Sequence, residues 1–428
     1  MKNIYRGRDA LQQFHDPHNY ITPLVELPES LNPYYNNGIH IYAKLLYMNP
    51  LLNIKSLPAR YMVQDALSNS SDINHFVESS SGNTAYSVSV YGKVYNNCDT
   101  TAIVSTEVTE GKRKLLSLMG LNIKYNNEPI CPNPNDPESS INIAKSLGKK
   151  DGRHNLGQYD NDINWKSHYD ITGPQIFNQL PEIDGIITSL GTTGTLLGIS
   201  QYLKKQNPDI YTIGVVRKEN NPIPGPRTEG LLSHIGFDWK KWTDQIIKVG
   251  THDAYQYSTK LCQYGILGGP SSGMNYYATL EYAQSQLAHN RGVHLVFACP
   301  DTALPYLYDY EVVLDTTNSE GYTVQQLIDD MQYLDNLWII DLRPQDQFNE
   351  YHIDAASSIP FHYVDEFVET SLSKEYKYVF VCSYGSKSDI VAKYVKSLGY
   401  NAQSLESGII HRYNSGYPVC KNQICIHK

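Results

Sequence analysis

Four short stretches of this 428-residue sequence carry side chains suited to covalent or anion-binding chemistry. The first contains Lys55, in a loop before the helical pattern at residues 58–66. A lysine at a helix N-terminus feels the positive end of the helix dipole, which lowers its pKa and favours the neutral amine that attacks a carbonyl group. Lys55 is therefore a candidate for forming a Schiff base, and the alternative is a solvated lysine beside a helix.

Two loops rich in glycine and hydroxyl side chains could hold anions. Residues 79–84 read Ser-Ser-Ser-Gly-Asn-Thr and open a helix, which suits a carboxylate. Residues 191–195 read Gly-Thr-Thr-Gly-Thr, where backbone N–H groups and hydroxyls can bind a phosphate. The second loop has neither the ending of a nucleotide P-loop nor a Rossmann G-x-G-x-x-G, so it favours a phosphate other than a nucleotide's. An ordinary turn between a strand and a helix is the alternative for both loops.

The fourth stretch, residues 382–388, reads Cys-Ser-Tyr-Gly-Ser-Lys-Ser between an apolar β-type run and a helical pattern. A thiol at a helix N-terminus is acidified and becomes a nucleophilic thiolate at neutral pH. Cys382 is thus a candidate nucleophile, and the alternative is a small buried apolar side chain. Cys420 and Cys425 are interpreted as ordinary exposed cysteines, and the alternatives are that they resolve a persulfide or bind a metal with His427.

The elements that must position these residues form two blocks of alternating strands and helices. A strand at 183–190, a helix at 196–205 and a strand at 211–216 make a βαβ unit, which implies a parallel sheet. The second block repeats the alternation, with a helix at 324–333, strands at 337–341 and 378–382, and a helix at 387–398. A polar, turn-rich stretch at 315–321 separates the blocks. We therefore predict an α/β protein with domains at residues 1–315 and 322–420.

Composition argues against several classes of protein. The chain has 35 basic and 44 acidic residues and a net charge of −9, and no stretch concentrates lysine and arginine on the scale that counter-ion release from nucleic acid needs, so nucleic-acid binding is not expected. No secretory signal and no apolar run of membrane-spanning length is present in this sequence. The seven cysteines form no C-x-x-C pair and lack histidines at zinc-site spacing, which argues against a disulfide framework or a metal site. We expect a soluble, cytoplasmic protein with no bound metal.

Residues 20–310 resemble the β-family of pyridoxal-phosphate enzymes, the cysteine synthase and cystathionine β-synthase group. The matching motifs, in the family's order, are at 22–25, 49–50, Lys55, 81–84, Gln158, 172–174, 191–195, 268–273 and 300–301. The resemblance implies pyridoxal 5′-phosphate as cofactor and the fold type II architecture, which has two subdomains with parallel sheets. The sequence departs from the family after Lys55, where Ser56 and Leu57 replace a charged pair, and at Thr193, where glycine is commonest.

The resemblance also implies a role for each matched residue. Lys55 would bind the cofactor covalently and act as acid and base at the substrate α-carbon. The remaining cofactor-binding residues would be Asn83 at the phenolic oxygen, Ser271 at the pyridine nitrogen, and Gly191, Thr192, Thr193, Gly194 and Thr195 at the phosphate. The residues holding the substrate carboxylate would be Ser80, Ser81, Thr84 and Gln158. Arg227 is a candidate for binding an anionic leaving group, with a surface salt bridge as the alternative.

Residues 325–420 resemble the rhodanese domain in the order and spacing of residues 340–343, 348–353, 359–360, Cys382 and Gly408. The resemblance implies that Cys382 carries sulfane sulfur as a persulfide. The six positions 382–387 match the loop length of the sulfur-handling members. Lys387 replaces the usual arginine of that loop, so a cation is kept but a bidentate fork is lost.

The two resemblances together predict β-elimination and replacement on an activated serine. The substrate would be O-acetylserine or O-phosphoserine, and a sulfur nucleophile carried by the rhodanese-like domain would give L-cysteine. Two alternatives stay open: an amine nucleophile giving a 2,3-diaminopropionate-type amino acid, and degenerate sites in a protein that senses an amino acid or sulfur. The expected partners are the amino-acid substrate and the sulfur donor, and the family implies a homodimer.

Overall fold

A computed structural model places the chain in two compact units, Met1–Asp309 and Tyr310–Lys428. The structure describes residues 4–80, 82–105, 108, 110–126, 136–219, 221–287, 292–315, 322–383, 385–406, 408–409, 419–421 and 424–426. Ser81 lies outside the described residues, and so does the predicted linker beyond residue 315. No helix within these described ranges is both long enough and apolar enough to cross a membrane.

The larger unit contains two sheets with helices between their strands. Its strands are β1 (Leu24–Glu26), β2 (Ile39–Lys44), β3 (His75–Ser79), β4 (Asp99–Ser105), β5 (Asn122–Asn126), β6 (Arg153–Asn155), β7 (Gly185–Ser189), β8 (Tyr211–Arg217), β9 (Gln245–Val249) and β10 (Val293–Ala298). Its helices are α1 (Ala10–Phe14), α2 (Ser56–Asn69), α3 (Asn83–Asn96), α4 (Glu110–Leu118), α5 (Ser140–Leu147), α6 (Ile163–Ser167), α7 (Gly173–Gln179), α8 (Gly194–Gln206), α9 (Thr251–Gln263), α10 (Pro270–Ser285) and α11 (Leu307–Asp315), which continues past the boundary of the unit.

The strand orders confirm the predicted parallel sheets. The six-stranded sheet has the order β1-β2-β10-β7-β8-β9, and β1 is its antiparallel strand. The four-stranded sheet has the order β5-β4-β3-β6 and is parallel. The predicted βαβ unit is β7-α8-β8, with Gly185 opposite Tyr211. Helix α8 begins at Gly194, two residues before the predicted start, because the chain turns into the helix at Thr193 with φ of 67°.

Apolar strands explain how the larger sheet is stabilised. Strands of a parallel sheet are covered on both faces and therefore read as nearly continuous apolar runs. Ile41 of β2, Ile187 of β7, Ile213 of β8 and Phe297 of β10 are all 0% exposed and belong to one core cluster. Burial of each such side chain contributes about 1.5–3 kcal/mol. The central strands are thus fixed, and the loops that follow them have defined positions.

The smaller unit is a parallel sheet flanked by helices, followed by a hairpin. Its helices are α12 (Val324–Tyr333), α13 (Gln345–Glu350), α14 (Val364–Ser371) and α15 (Ser386–Ser397). Its strands are β11 (Leu337–Asp341), β12 (Ser357–Ser358), β13 (Lys377–Val381), β14 (Asn401–Ser404), β15 (Val419–Lys421) and β16 (Ile424–Ile426). The sheet order is β12-β11-β13-β14, and β15 pairs with β16 antiparallel.

One cysteine of the hairpin differs from its predicted environment. Cys420 was expected to be an ordinary exposed residue, but it is 2% exposed and disulfide-bonded. In the hairpin it lies opposite Cys425. The expectation was wrong for Cys420 because a backbone pairing between Cys420 and His352 holds β15 against the rest of the unit.

Candidate active site

A cleft in the larger unit opens at the carboxyl ends of strands from both sheets, where open α/β sheets bind their ligands. Strand β3 leads into the loop at 80–84, β7 leads into the loop at 191–195, and β10 leads into Asp301. The predicted site residues that line this cleft are Lys55, Ser80, Asn83, Thr84, Gln158, Gly191, Thr192, Thr195, Arg227 and Ser271. Thr193 and Gly194 are buried at the start of α8 and are not part of its lining.

Lys55 immediately precedes α2, as the sequence predicts, and its side chain is half-buried in the cleft. Burial lowers the pKa of the Lys55 amine to about 8, and the negative charge of Asp301 opposes that shift. The neighbouring backbone is fixed by Ile54 N–H, which donates to the Pro300 carbonyl at 2.7 Å. At pH 8, about half of such an amine is neutral, so Lys55 can act as a nucleophile or a base near neutral pH.

A single carboxylate connects two of the predicted cofactor-binding residues. Asn83 Nδ2 donates to Asp301 Oδ2 at 2.8 Å, and Ser271 Oγ donates to Asp301 Oδ1 at 3.4 Å. The Tyr306 hydroxyl also donates to Asp301 Oδ2. Asp301 is 5% exposed, and three hydrogen bonds compensate for the burial of its charge. The sequence identified residues 300–301 only as a motif, without a role for Asp301.

The loop that follows β3 is tied to Gln158 by hydrogen bonds. Thr84 Oγ1 donates to Gln158 Oε1 at 2.7 Å, and Gln158 Nε2 donates to the Ser79 carbonyl at 2.8 Å. Ser80 Oγ accepts from the N–H of Gly82 at 3.2 Å. These contacts hold several polar side chains on one wall of the cleft, where an anionic group could accept hydrogen bonds.

Glu78, which sequence reasoning missed, lies directly behind this wall. Its side chain is 1% exposed, and Oε2 accepts from the N–H of Gly157 at 3.2 Å. Burial raises the pKa of the Glu78 carboxyl to about 8 despite hydrogen bonds from the backbone. A glutamate in a strand gives no sequence signal of such burial, because glutamate is ordinarily exposed.

The loop at 191–195 is supported by two buried side chains from the neighbouring helical segment. Asn164 Nδ2 donates to Thr192 Oγ1 at 3.2 Å, and His168 Nε2 lies 3.3 Å from Thr195 Oγ1. Burial lowers the pKa of His168 to about 3, so its ring is neutral. At Gly194 a Cβ atom would lie 2.4 Å from Asn164 Oδ1, which explains the glycine at this position.

Two further cations line the cleft with Lys55. Arg227 is 2% exposed, and its guanidinium stacks over the Tyr159 ring at 4.8 Å, so it is not a surface residue. Lys112 of α4 also lines the cleft, with Nζ 5.0 Å from the centre of the Tyr306 ring. Lys112 was missed because a run of three basic residues, Lys112-Arg113-Lys114, ordinarily indicates an exposed segment.

Cys382 lies in the smaller unit, between β13 and α15, and is 4% exposed. The Ser388 N–H lies 3.4 Å from Cys382 Sγ, and the Ser388 hydroxyl lies 3.3 Å from it, both as donors. The Ser404 hydroxyl donates to Ser388 Oγ at 2.8 Å. The Lys387 amine lies 5.4 Å from the centre of the Phe361 ring. The sulfur therefore faces hydroxyl and backbone donors that can stabilise negative charge.

Two family models match the chain. The model described as pyridoxal-phosphate dependent enzyme matches residues 15–299, and the model described as rhodanese-like domain matches residues 322–410. A curated relative, cystathionine beta-synthase from Saccharomyces cerevisiae, is 29% identical over 329 residues. That match includes 69% of this chain and 63% of the relative, so the chain spans less than two thirds of the relative's length.

Solved structures share the fold of the larger unit. Cysteine synthase from Entamoeba histolytica matches with a TM-score of 0.62 and 23% identity, over 77% of this chain and 96% of its own. A hydrogen sulfide-producing enzyme from Fusobacterium nucleatum matches with a TM-score of 0.60 and 23% identity, over 68% of this chain and 99% of its own. At this identity the likeness establishes the fold and leaves the reaction to be inferred from the cleft.

Proposed function

The chain belongs to the family of pyridoxal-phosphate-dependent enzymes and carries a C-terminal rhodanese-like domain, and we propose that it makes L-cysteine from an activated serine. The substrate is O-acetylserine or O-phosphoserine, and the nucleophile is sulfur supplied through Cys382. The proposed boundaries are residues 1–315 for the first domain and 322–420 for the second. The observation that carries the proposal is the convergence on one cleft of Lys55, the loop at 80–84 and the loop at 191–195.

The residues of the cleft fit pyridoxal phosphate. Gly191, Thr192 and Thr195 face the cleft at the N-terminus of α8, a 13-residue helix whose dipole favours a phosphate. Thr193 Oγ1 is buried and has no hydrogen-bond partner within the described part of the chain, so this loop has an unused hydroxyl. Lys55 supplies an amine whose pKa of about 8 suits condensation with an aldehyde. We assign Asn83 and Ser271 as further cofactor-binding residues.

Pyridoxal phosphate, when bound, supplies an electron sink for the α-carbon of an amino acid. Lys55 would remove the proton from that carbon, and its lowered pKa suits this role as a base. Ser80, Ser81, Thr84 and Gln158 would hold the substrate carboxylate and fix the orientation of the α-carbon. Arg227, buried at the cleft wall, would face the departing acetate or phosphate. The leaving group departs with its bonding electrons, and sulfur then bonds to the β-carbon.

The Cys382 thiolate would take the sulfane sulfur of a donor such as thiosulfate, which leaves as sulfite, and would hold that sulfur as a persulfide. An external thiol would then attack the Cys382 sulfur of the persulfide, release sulfide and form a mixed disulfide with Cys382. A second thiol would free Cys382 and leave as the disulfide of the two thiols. The donors at Cys382 Sγ, from the backbone and hydroxyl of Ser388, support a charged sulfur there. The cytoplasmic location and the homodimer expected above stay predictions. Light scattering of the purified protein tests the second.

The proposal is tested by product analysis of the purified protein loaded with pyridoxal phosphate. Each serine ester is supplied with sulfide, or with thiosulfate and a thiol. We expect cysteine from at least one ester with sulfide, and a Cys382→Ser variant should lose the reaction with thiosulfate while keeping the reaction with sulfide. Absence of cysteine with either ester and either sulfur source would overturn the proposal. A product formed only with ammonia or another amine would indicate diaminopropionate-type synthesis.

A further inference from the structure

Lys112 places a second amine in the cleft that contains Lys55, and the family motifs quoted above give it no role. The side chain extends from α4 and is half-buried. A Cβ atom at Gly82 would lie 3.1 Å from Lys112 Nζ, so the amine rests against the middle of the loop at 80–84. Gly82 directly precedes α3, a helix of 14 residues.

This location is unfavourable for a cation unless an anion lies nearby. The N-terminus of a helix carries the positive end of its dipole and repels an ammonium group. Burial lowers the pKa of the Lys112 amine, whereas the charges of Asp301 and Asp309 act in the opposite direction. The structure shows no hydrogen bond or ion pair of Lys112 with any residue that it describes, so both carboxylates act at longer range. Lys112 and the end of α3 therefore favour an anion in the same space.

The described side chains along the cleft carry more positive than negative groups, which favours such an anion. The described lining contains three basic side chains, Lys55, Lys112 and Arg227, and one carboxylate, that of Asp301. Asp301 already accepts hydrogen bonds from Asn83, Ser271 and Tyr306. The loop at 191–195, where the cofactor phosphate would bind, contains only glycine and threonine, so none of these three cations belongs to it. The amine of Lys112 thus has charge available for a ligand at the other wall of the cleft.

We propose that Lys112 binds the α-carboxylate of the amino-acid substrate, together with the donors of Ser80, Thr84 and Gln158. The assignment rests on the proposed function and adds one charged residue to a binding wall that otherwise consists of neutral donors. The carboxylate is favoured over the leaving group because the amine contacts Gly82, inside the loop that holds those donors. The positive charge of Lys112 at this wall would make binding of the amino acid depend on its α-carboxylate.

The test uses full-length protein loaded with pyridoxal phosphate and measures binding by the change in visible absorbance. The ligands are L-serine and L-serinamide, which differ in the carboxylate alone. A hydrogen bond to a charged group contributes about 1.5–3 kcal/mol, so Lys112→Met should weaken L-serine binding roughly 10- to 100-fold and L-serinamide binding less than about twofold. Lys112→Arg should restore most of the loss. Lys114→Met, an exposed lysine of the same helix, is the matched control and should bind as wild type.

Three results would overturn the assignment. Equal weakening of both ligands, or of neither, would mean that Lys112 only balances Asp301 and Asp309. O-phosphoserine is measured as a third ligand, and weakening confined to it would place Lys112 at the leaving group. If no amino acid changes the absorbance of the wild-type protein, the proposed function itself fails. If amino acids change the absorbance of the wild-type protein and Lys112→Met binds them equally well, only the role of Lys112 fails. Restoration by Lys112→Arg and an intact cofactor band exclude misfolding as the cause of a loss.

Discussion

Replacing Glu78 with glutamine should stabilise the larger unit at pH 7 and have a much smaller effect at pH 5. Glu78 is 1% exposed, and burial raises its pKa from 4.5 to about 8. Between these values the folded state binds the proton and the unfolded state does not, so the unfolding free energy falls as pH rises. One pKa unit corresponds to about 1.36 kcal/mol, which gives a cost of about 1 kcal/mol at pH 5 and about 3 kcal/mol at pH 7. Glutamine has the shape of the neutral acid and removes this cost.

The assay is urea unfolding followed by tryptophan fluorescence. Three of the four tryptophans, Trp165, Trp239 and Trp242, lie in the larger unit, so a Trp338→Phe background reports on that unit. The advantage of Glu78→Gln over its parent should grow by about 2 kcal/mol between pH 5 and pH 7. Glu182→Gln, at an exposed position, should show no such growth. If Glu78→Gln instead destabilises the protein equally at both pH values, Glu78 is ionised and needed as an anion, and the expected cost of its charge is wrong.

Three further predictions concern other buried groups. Lys44 is 0% exposed, and burial lowers its pKa from 10.5 to about 7. Between these values the unfolded state binds the proton and the folded state does not, so the unfolding free energy should rise with pH by at most about 1.4 kcal/mol per pH unit. Urea unfolding of wild type and Lys44→Met near pH 7.5 and 9.5 checks this, because the variant should lack the rise. Thr193→Gly should raise the melting temperature of the cofactor-free protein, because a non-glycine residue with φ of 67° costs about 1–2 kcal/mol, whereas Thr193→Ala keeps that strain. Thermal unfolding of both variants is measured with and without pyridoxal phosphate, and equal melting temperatures of the two variants would contradict backbone strain at this position. Ser388→Ala should slow alkylation of Cys382 by iodoacetamide at pH 7, because a hydrogen-bond donor to the sulfur is lost, and an unchanged rate would argue against that role.

The elements with strong local patterns could be predicted from the sequence. Helix α12 matches its predicted bounds because Thr323 and Gln326 form a capping box at its start. The βαβ unit β7-α8-β8 was found from its apolar strands and glycine loop, although the start of α8 depends on the left-handed turn at Thr193. These features depend on residues close together in the chain.

The rest of the candidate site depends on residues far apart in the chain. Asp301 follows β10 and contacts Asn83, 218 residues away, so no local pattern reveals the pairing. Lys112 and Glu78 have residue types that are ordinarily exposed, and only the packed structure shows that Lys112 is half-buried in the cleft and that Glu78 is buried behind its wall. The same holds for Cys420, whose burial arises from pairing with His352.

Chemical trapping tests whether the cofactor attaches to Lys55. The protein is loaded with pyridoxal phosphate, reduced with borohydride, digested and analysed by mass spectrometry. We expect a visible absorbance band before reduction and one modified peptide, which carries the added pyridoxyl group on Lys55, and no modification in a Lys55→Ala variant. A protein that stays colourless with added cofactor, or a modification on Lys112 in place of Lys55, would contradict it.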